Sequence, residues 1–268
     1  MDPHLVAVVV GLLQGVFEWL PISSEGNIAI ALTALGTAPG VAVSYALFVH
    51  LGTACSATAY YRDEVRAALA SWSSLRPDSA FDGETATLSF VALATAASSA
   101  VGVVALLALD ALVTELTGGA FVALIGALLV ATGLLQRFAD ARSLATRETP
   151  DALDAVLVGS LQGLAILPGV SRSGTTTSAL LLRGHDGPDS FRLSFLLSIP
   201  AALIGGTVGV VRAGGIGVSP TAGLVALAVA AVVGYATIDL LMRVVRQVAV
   251  WLLCVGLGAL AVAGGLLV

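Results

Sequence analysis

Six stretches of this chain, 37–61, 86–109, 116–136, 193–211, 213–238 and 247–268, contain no Asp, Glu or Arg, and the one histidine among them is His50. A helix needs roughly 20 apolar residues to cross the hydrocarbon core of a bilayer, so each stretch predicts one span. Soluble domains carry about 25% charged residues; this chain of 268 residues carries 11% and is 57% hydrophobic. The fold class is therefore an all-α polytopic membrane protein, multi-pass, in the cell membrane. The N-terminus has neither a basic region nor a clean cleavage site, so no removable signal peptide is expected. All 12 basic residues are Arg, against 17 acids. A net charge of −5 argues against a nucleic-acid partner, and the acidic, lysine-free composition suggests a GC-rich, salt-adapted source. Cys55 and Cys254 lie in apolar runs with no metal or redox spacing and read as small buried hydrophobes.

Two further apolar regions are interrupted. Residues 3–36 are cut by Glu18, Pro21 and serines, and 153–184 by Pro168, Gly169 and Arg172. The pieces are too short to span. Irregular backbone survives at membrane depth only where protein shields it or it lines a wet cavity, so each region predicts a re-entrant helical hairpin. The two also resemble each other: "LLQGVFEWLPISSEGN" and "SLQGLAILPGVSRSGTT" share L-Q-G, then L-P, then a serine and glycine cluster, 148 positions apart. Each hairpin is followed by three spans. One membrane domain, 1–268, thus divides into a first repeat, 1–136, and a second, 153–268. Three spans being odd, the second copy must enter from the opposite face. Inverted repeats with broken helices place their site near the midplane, where the copies meet.

Arginine placement sets the orientation. With six spans, one face receives Arg62, Arg66, Arg76, Arg137, Arg142, Arg147, Arg183, Arg192, Arg243 and Arg246, and the other Arg212 alone. The first face is then cytoplasmic by the positive-inside rule, and the termini and the first hairpin belong outside, with the site. The linker 62–85 reads as a short interfacial helix anchored by Trp72, then a loop. His4 and His185 fall near membrane edges and are expected to be solvated.

Glu18, Glu25 and Arg172 are ionisable groups expected at membrane depth, where each costs a few kcal/mol or more and marks a functional site unless it is a structural ion pair. In "PGVSRSGTTT" an Arg sits among glycines and hydroxyls where a helix begins. N-terminal N–H groups, a guanidinium fork and Ser171, Ser173, Gly174 and Thr176 together suit a phosphate. Gln14 and Glu18 are one helical turn apart on one face. A carboxylate beside a phosphate site must either handle a proton or hold a cation. That makes Glu18 a candidate ligand for a divalent ion (Mg or Ca), although no pattern requires a cofactor. Ser23 and Ser24 offer a helix cap and a hydroxyl nucleophile.

These residues carry a resemblance. "QGVFEWLPISSEGN", "LFVHLGTACSATAYYR", "SLQGLAILPGVSRSGTTTSALLL" and "FRLSFLLSIPAALIGG" together resemble the undecaprenyl-diphosphatase family of bacitracin-resistance lipid pyrophosphatases, over nearly the whole chain. The resemblance implies a membrane hydrolase that converts a polyprenyl diphosphate lipid to the monophosphate and so recycles a lipid carrier. It places the (E/Q)xxxE motif on Gln14 and Glu18, the P-x-S-S-x-G-H motif on Pro21 to Asn27, and the P-G-x-S-R-S-G-x-T motif on Pro168 to Thr176. Ser24 is then the nucleophile and Arg172 the phosphate clamp, with Gln14, Ser23 and Asn27 beside the substrate. Two positions depart from the pattern: Asn27 replaces the histidine, and Glu25 stands where threonine is usual. The general base stays open among Glu18, Glu25 and His50, the last of which also reads as a packed residue. An inverted-repeat transporter or flippase for an anionic or prenyl-phosphate substrate is the alternative reading. Prenyl length is left open, and so is a homodimer.

Overall fold

The computed structural model describes residues 2–116, 118–142, 147–212, 219–245 and 247–267. Met1, Thr117, Arg246, the stretches 143–146 and 213–218, residue 268 and the side chains of 112–115 and of Arg212 lie outside the described residues. Every regular element described is a helix, as a chain in lipid requires when each backbone donor needs a partner within its own segment.

Six helices are long and apolar enough to cross a membrane: α3 (Pro39–Tyr60), α5 (Ala86–Glu115), α6 (Gly118–Asp140), α9 (Gly187–Arg212), α10 (Pro220–Val245) and α11 (Val250–Leu267). Each overlaps one of the six expected spans, although α9 starts at Gly187, before the expected 193, and α10 runs to Val245, past the expected 238. Short helices form the hairpins, α1 (Pro3–Phe17) with α2 (Ser24–Ala34), and α7 (Ala152–Leu164) with α8 (Arg172–Leu182). At 15 residues, α1 is about 22 Å long, short of the roughly 30 Å hydrocarbon core. The interruptions follow from the sequence. Glu18 closes α1, and Pro21, which has no N–H, follows before Ser23 caps α2. In the second hairpin Pro168 precedes Gly169, whose φ of 101° few side chains tolerate. The linker after α3 begins with α4 (Arg62–Ala70), and Trp72 beyond it is 68% exposed, as an interfacial anchor requires.

The closest helix pairs are α6 with α11, α1 with α10, α5 with α7 and α3 with α9. Lipid tails are as apolar as leucine, so helices associate through close packing rather than hydrophobic exclusion, and small residues line the seams. A Cβ on Gly11 or Gly15 would meet α10 at 2.7–2.8 Å, and one on Gly159 or Gly163 would meet the α5 backbone at 2.3 and 2.6 Å. Buried polar contacts lock the first hairpin further, the Trp19 indole donating to the Gly234 carbonyl (3.0 Å) and Thr237 Oγ1 to that of Gly15 (3.1 Å).

Two expectations fail here. His185 is fully buried rather than solvated. Its Nε2 lies 3.0 Å from Asp154 Oδ2, and Arg183 Nε donates to Asp154 Oδ1 at 2.5 Å. Arg147 and Arg183 also reach Asp151, at 2.5 and 2.9 Å. A carboxylate buried where α7 begins needs several donors, and this network ties the start of α7 to the end of α8. Burial is the largest influence on the Asp151 carboxyl and raises it, but the Arg147 hydrogen bond, the Asp154 N–H and the Arg183 charge together hold the group below its ordinary value. Cys55 is exposed on α3 while Cys254 is buried, since a lipid-facing thiol meets an apolar surrounding as good as a core.

The seams make a direct prediction. Gly159→Ala, forced against Ala94, should destabilise the protein by about 1–3 kcal/mol and lower its midpoint in detergent thermal unfolding. Gly256→Ala, with no atom within 4 Å of the added methyl, should leave the midpoint unchanged.

Candidate active site

The two hairpin tips meet through Ser23. Its Oγ accepts from Gly26 N, capping α2, and from Gly169 N of the other hairpin, both at 3.2 Å. The residue holds φ 60° and ψ 81°, a left-handed conformation uncommon outside glycine, so the surrounding contacts must fix it. They do. The Pro21 carbonyl accepts from Gln136 Nε2 of α6 at 2.7 Å and Cys254 Sγ of α11 at 2.9 Å. Thr132 Oγ1 donates to the Gly169 carbonyl at 3.4 Å.

This frame aims one group of side chains at a common point. Glu18, 6% exposed, accepts on Oε2 from Gln14 Nε2 and from Ser24 Oγ, each at 2.9 Å. Its Oε1 accepts from Arg172 Nη2. His50 Nε2 stands 3.3 Å from Glu18 Oε2, while Nδ1 donates to the Ala46 carbonyl at 2.7 Å. The latter bond fixes the ring so that Nε2 is the nitrogen facing the site. Gln14 is held in turn by Thr53 Oγ1 at 3.1 Å. Arg172 lies 5.7 Å from the Phe195 ring centre and donates through Nη1 to the Ser194 carbonyl at 3.4 Å. A hydroxyl that donates to a carboxylate, with a guanidinium on that same carboxylate, has the parts of an activated nucleophile beside an anion clamp.

Of the residues expected at a site, Glu18, Ser23, Ser24, Glu25, Ser171, Arg172 and Ser173 line one small pocket together with His50. Gln14 is buried behind Glu18 and supports it. Ser171 caps α8 through Gly174 N at 3.2 Å, as Ser23 caps α2. Gly174 packs against Gln136, and Thr176 Oγ1 pairs with Ser194 Oγ at 2.6 Å, away from the pocket. Asn27 spends its amide on the carbonyls of Ile22 and Ser23, at 2.7 and 2.9 Å. It holds the turn rather than facing the cavity. Sequence reasoning missed Thr53, Thr132, Gln136 and Phe195; polar residues inside the apolar stretches were the available signal. Among the described residues no cluster of three or more His, Cys, Asp or Glu is placed to hold a metal ion.

From this pocket a cavity of about 190 Å³ runs between α3, α5, α7 and α9. Glu18, Glu25, His50 and Arg172 close its inner end. Beyond them the lining turns apolar, with Val103 and Leu106 from α5 and Ile204 and Val208 from α9. Val103 and Ile204 are 59% and 45% exposed, so the cleft is open between these two spans. On both helices it extends toward the ends that carry residues 115 and 212, the face on which α3 begins.

Comparison with known proteins places this arrangement. Over 271 residues the chain is 59% identical to a protein of Haloarcula marismortui named undecaprenyl-diphosphatase, covering 100% of this chain and 99% of the relative. Proteins of the same name from Methanococcoides burtonii and Saccharolobus solfataricus are 38% and 35% identical, covering 96% and 100% of this chain and 96% and 97% of theirs. The model of the family described as bacitracin resistance protein BacA matches residues 7–262, both hairpins and the cleft between them included, and the chain belongs to that family.

Proposed function

We propose that this protein hydrolyses a polyprenyl diphosphate of the undecaprenyl type to the lipid monophosphate and inorganic phosphate. The observation that carries the reading is the Ser24 hydroxyl donating to Glu18, itself held by Arg172, at the closed end of a cleft that opens to lipid. The names of the relatives agree with it.

The chemistry follows from the atoms present. The terminal phosphate draws the Arg172 fork onto its oxygens, which neutralises charge as the phosphorus is attacked. Ser24 Oγ bonds to that phosphorus and passes its proton to Glu18. The bond from phosphorus to the bridging oxygen breaks, and the lipid monophosphate leaves with that oxygen. A water then attacks the seryl phosphate, its leaving proton moving onto a phosphoryl oxygen, while the Ser24 oxygen departs and takes back the first proton from Glu18. Inorganic phosphate is released and the site is restored. Glu18 is the base because the Ser24 hydroxyl donates to its Oε2 at 2.9 Å. Asn27, engaged with backbone carbonyls, takes no part in proton transfer. The residue set does not favour a divalent cation at Glu18: an amide, a hydroxyl and a guanidinium already donate to its two oxygens. No step runs through a metal.

The reading takes the chain as two inverted repeats, 1–136 and 153–268. Its support is the reciprocal packing of α1 on α10 and α7 on α5, with α3 against α9 and α6 against α11. It also takes the termini and the cleft mouth as facing outside, because the arginine-rich ends of the helices lie opposite.

Four outcomes test this. In detergent, where transport cannot contribute, the pure protein should release phosphate from undecaprenyl or dolichyl diphosphate, and silence toward every prenyl diphosphate would sink the hydrolase reading. Arg172→Lys, which replaces a fork by a point charge, should lose about 2–3 kcal/mol of transition-state stabilisation. Glu18→Gln should abolish turnover yet still bind the lipid. Full activity in that variant, with loss in Glu25→Gln, would move the base to Glu25. Finally, with the two native cysteines replaced, Asp2→Cys should be labelled from outside intact cells and Glu148→Cys should not.

A further inference from the structure

The cavity contains polar groups that the reaction above does not use. Gln162, 4% exposed, donates from Nε2 to Ser98 Oγ at 3.3 Å, and its Oε1 has no hydrogen-bond partner. The Thr95 hydroxyl is likewise buried and unpartnered. Both residues line the cavity that Arg172 and Glu18 close, on the side leading to the apolar cleft. An unsatisfied polar group at membrane depth costs several kcal/mol, so two on residues that line one cavity point to a polar ligand there.

The spacing of the sequence explains why this amide is available. Gln14, 148 positions earlier, spends its amide nitrogen on Glu18 and Thr53, while its Oε1, like that of Gln162, has no partner. The position 148 after Glu18 is Ile166, which has no carboxylate to hold. Gln162 is left with an amide that no carboxylate engages, on a residue that lines the cavity. Amide oxygen and nitrogen exchange places at almost no geometric cost. In the turned orientation Ser98 donates to Oε1 and the NH₂ group faces the cavity as a donor.

We propose that Gln162, with Thr95 and Ser98, binds the lipid-proximal phosphate of the diphosphate. This rests on the hydrolase reading. With the terminal phosphate at Ser24 and Arg172, the proximal phosphate must lie toward the cleft that takes the tail, and these donors stand there. They are neutral, so they hold the phosphate that stays on the lipid without drawing charge from the one that reacts. The same contacts then hold the monophosphate product after cleavage.

The test separates the two phosphates by product inhibition. In Gln162→Met, of similar shape but without the amide, KM for the prenyl diphosphate and the inhibition constant of the prenyl monophosphate should both rise about tenfold, as expected for a lost hydrogen bond to a charged group. Inhibition by inorganic phosphate, which occupies the Arg172 end, should not change. Thr95→Val, a near-isosteric loss of one hydroxyl, should move the same two constants in the same direction, and it stands as the test if Gln162→Met does not fold. Unchanged constants would overturn the subsite, and so would a parallel loss of inorganic phosphate inhibition, the mark of general damage. If the wild type releases no phosphate, the hydrolase reading falls first and the subsite with it. Wild-type release with an unaltered Gln162→Met overturns the subsite alone.

Discussion

The Arg172 guanidinium on the Glu18 carboxylate is the interaction around which the rest of this protein is arranged. Each charge alone at membrane depth would be costly, and a pair recovers that cost only when the geometry is good and the remaining lone pairs are satisfied. Here Gln14 and Ser24 satisfy the second carboxylate oxygen, and the Phe195 ring and Ser194 carbonyl flank the guanidinium. The pair joins hairpins that arrive from different parts of the chain, residues 18 and 172. Such an arrangement adds little net stability, but it fixes one register between the hairpins, and a phosphate that competes for the arginine meets a geometry already set.

Holding that register falls to groups that never meet a substrate. Ser23 caps one hairpin and accepts from the other, Gln136 and Cys254 grip the turn at Pro21, and glycine seams let α1 and α7 lie close against α10 and α5. At the far end of the second hairpin, Asp154 gathers Arg183 and His185. The reactive tip is thus braced at its base as well as at its point. That matters for chemistry in which a misplacement of about 1 Å is costly.

Much of this was legible in the sequence. Spans are signalled by long runs without charge, and hairpins by charge and proline inside such runs, because the bilayer penalises both so heavily that only a site explains them. Glu18 and Arg172 stand out on the same logic, whereas Ser24 is singled out from Ser23 by the family resemblance alone. What escaped has a common cause. Thr53, Thr132, Gln136 and Phe195 are unexceptional in a one-dimensional reading, since a single polar or aromatic residue in a span is silent until its partner across the bundle is known. Asn27 and Thr176 were placed by motif, but a motif says nothing of the direction in which a side chain leaves its helix. His185 was misjudged because its distance from the membrane edge was counted and the buried carboxylate waiting for it was not visible.

The 148-residue spacing has a consequence for how many polypeptides the site can be made from. Aligned by that spacing, Ser24 corresponds to Arg172 and Glu18 to Ile166. Two identical copies of the first half would bring together two serines and two carboxylates with no cation between them. Two copies of the second would oppose two arginines with no acid to receive a proton. Only unlike halves yield nucleophile, acid and cation at one point, and a covalent link through 137–152 guarantees that they occur one to one. The chain thereby fixes a stoichiometry that separate subunits would leave to chance.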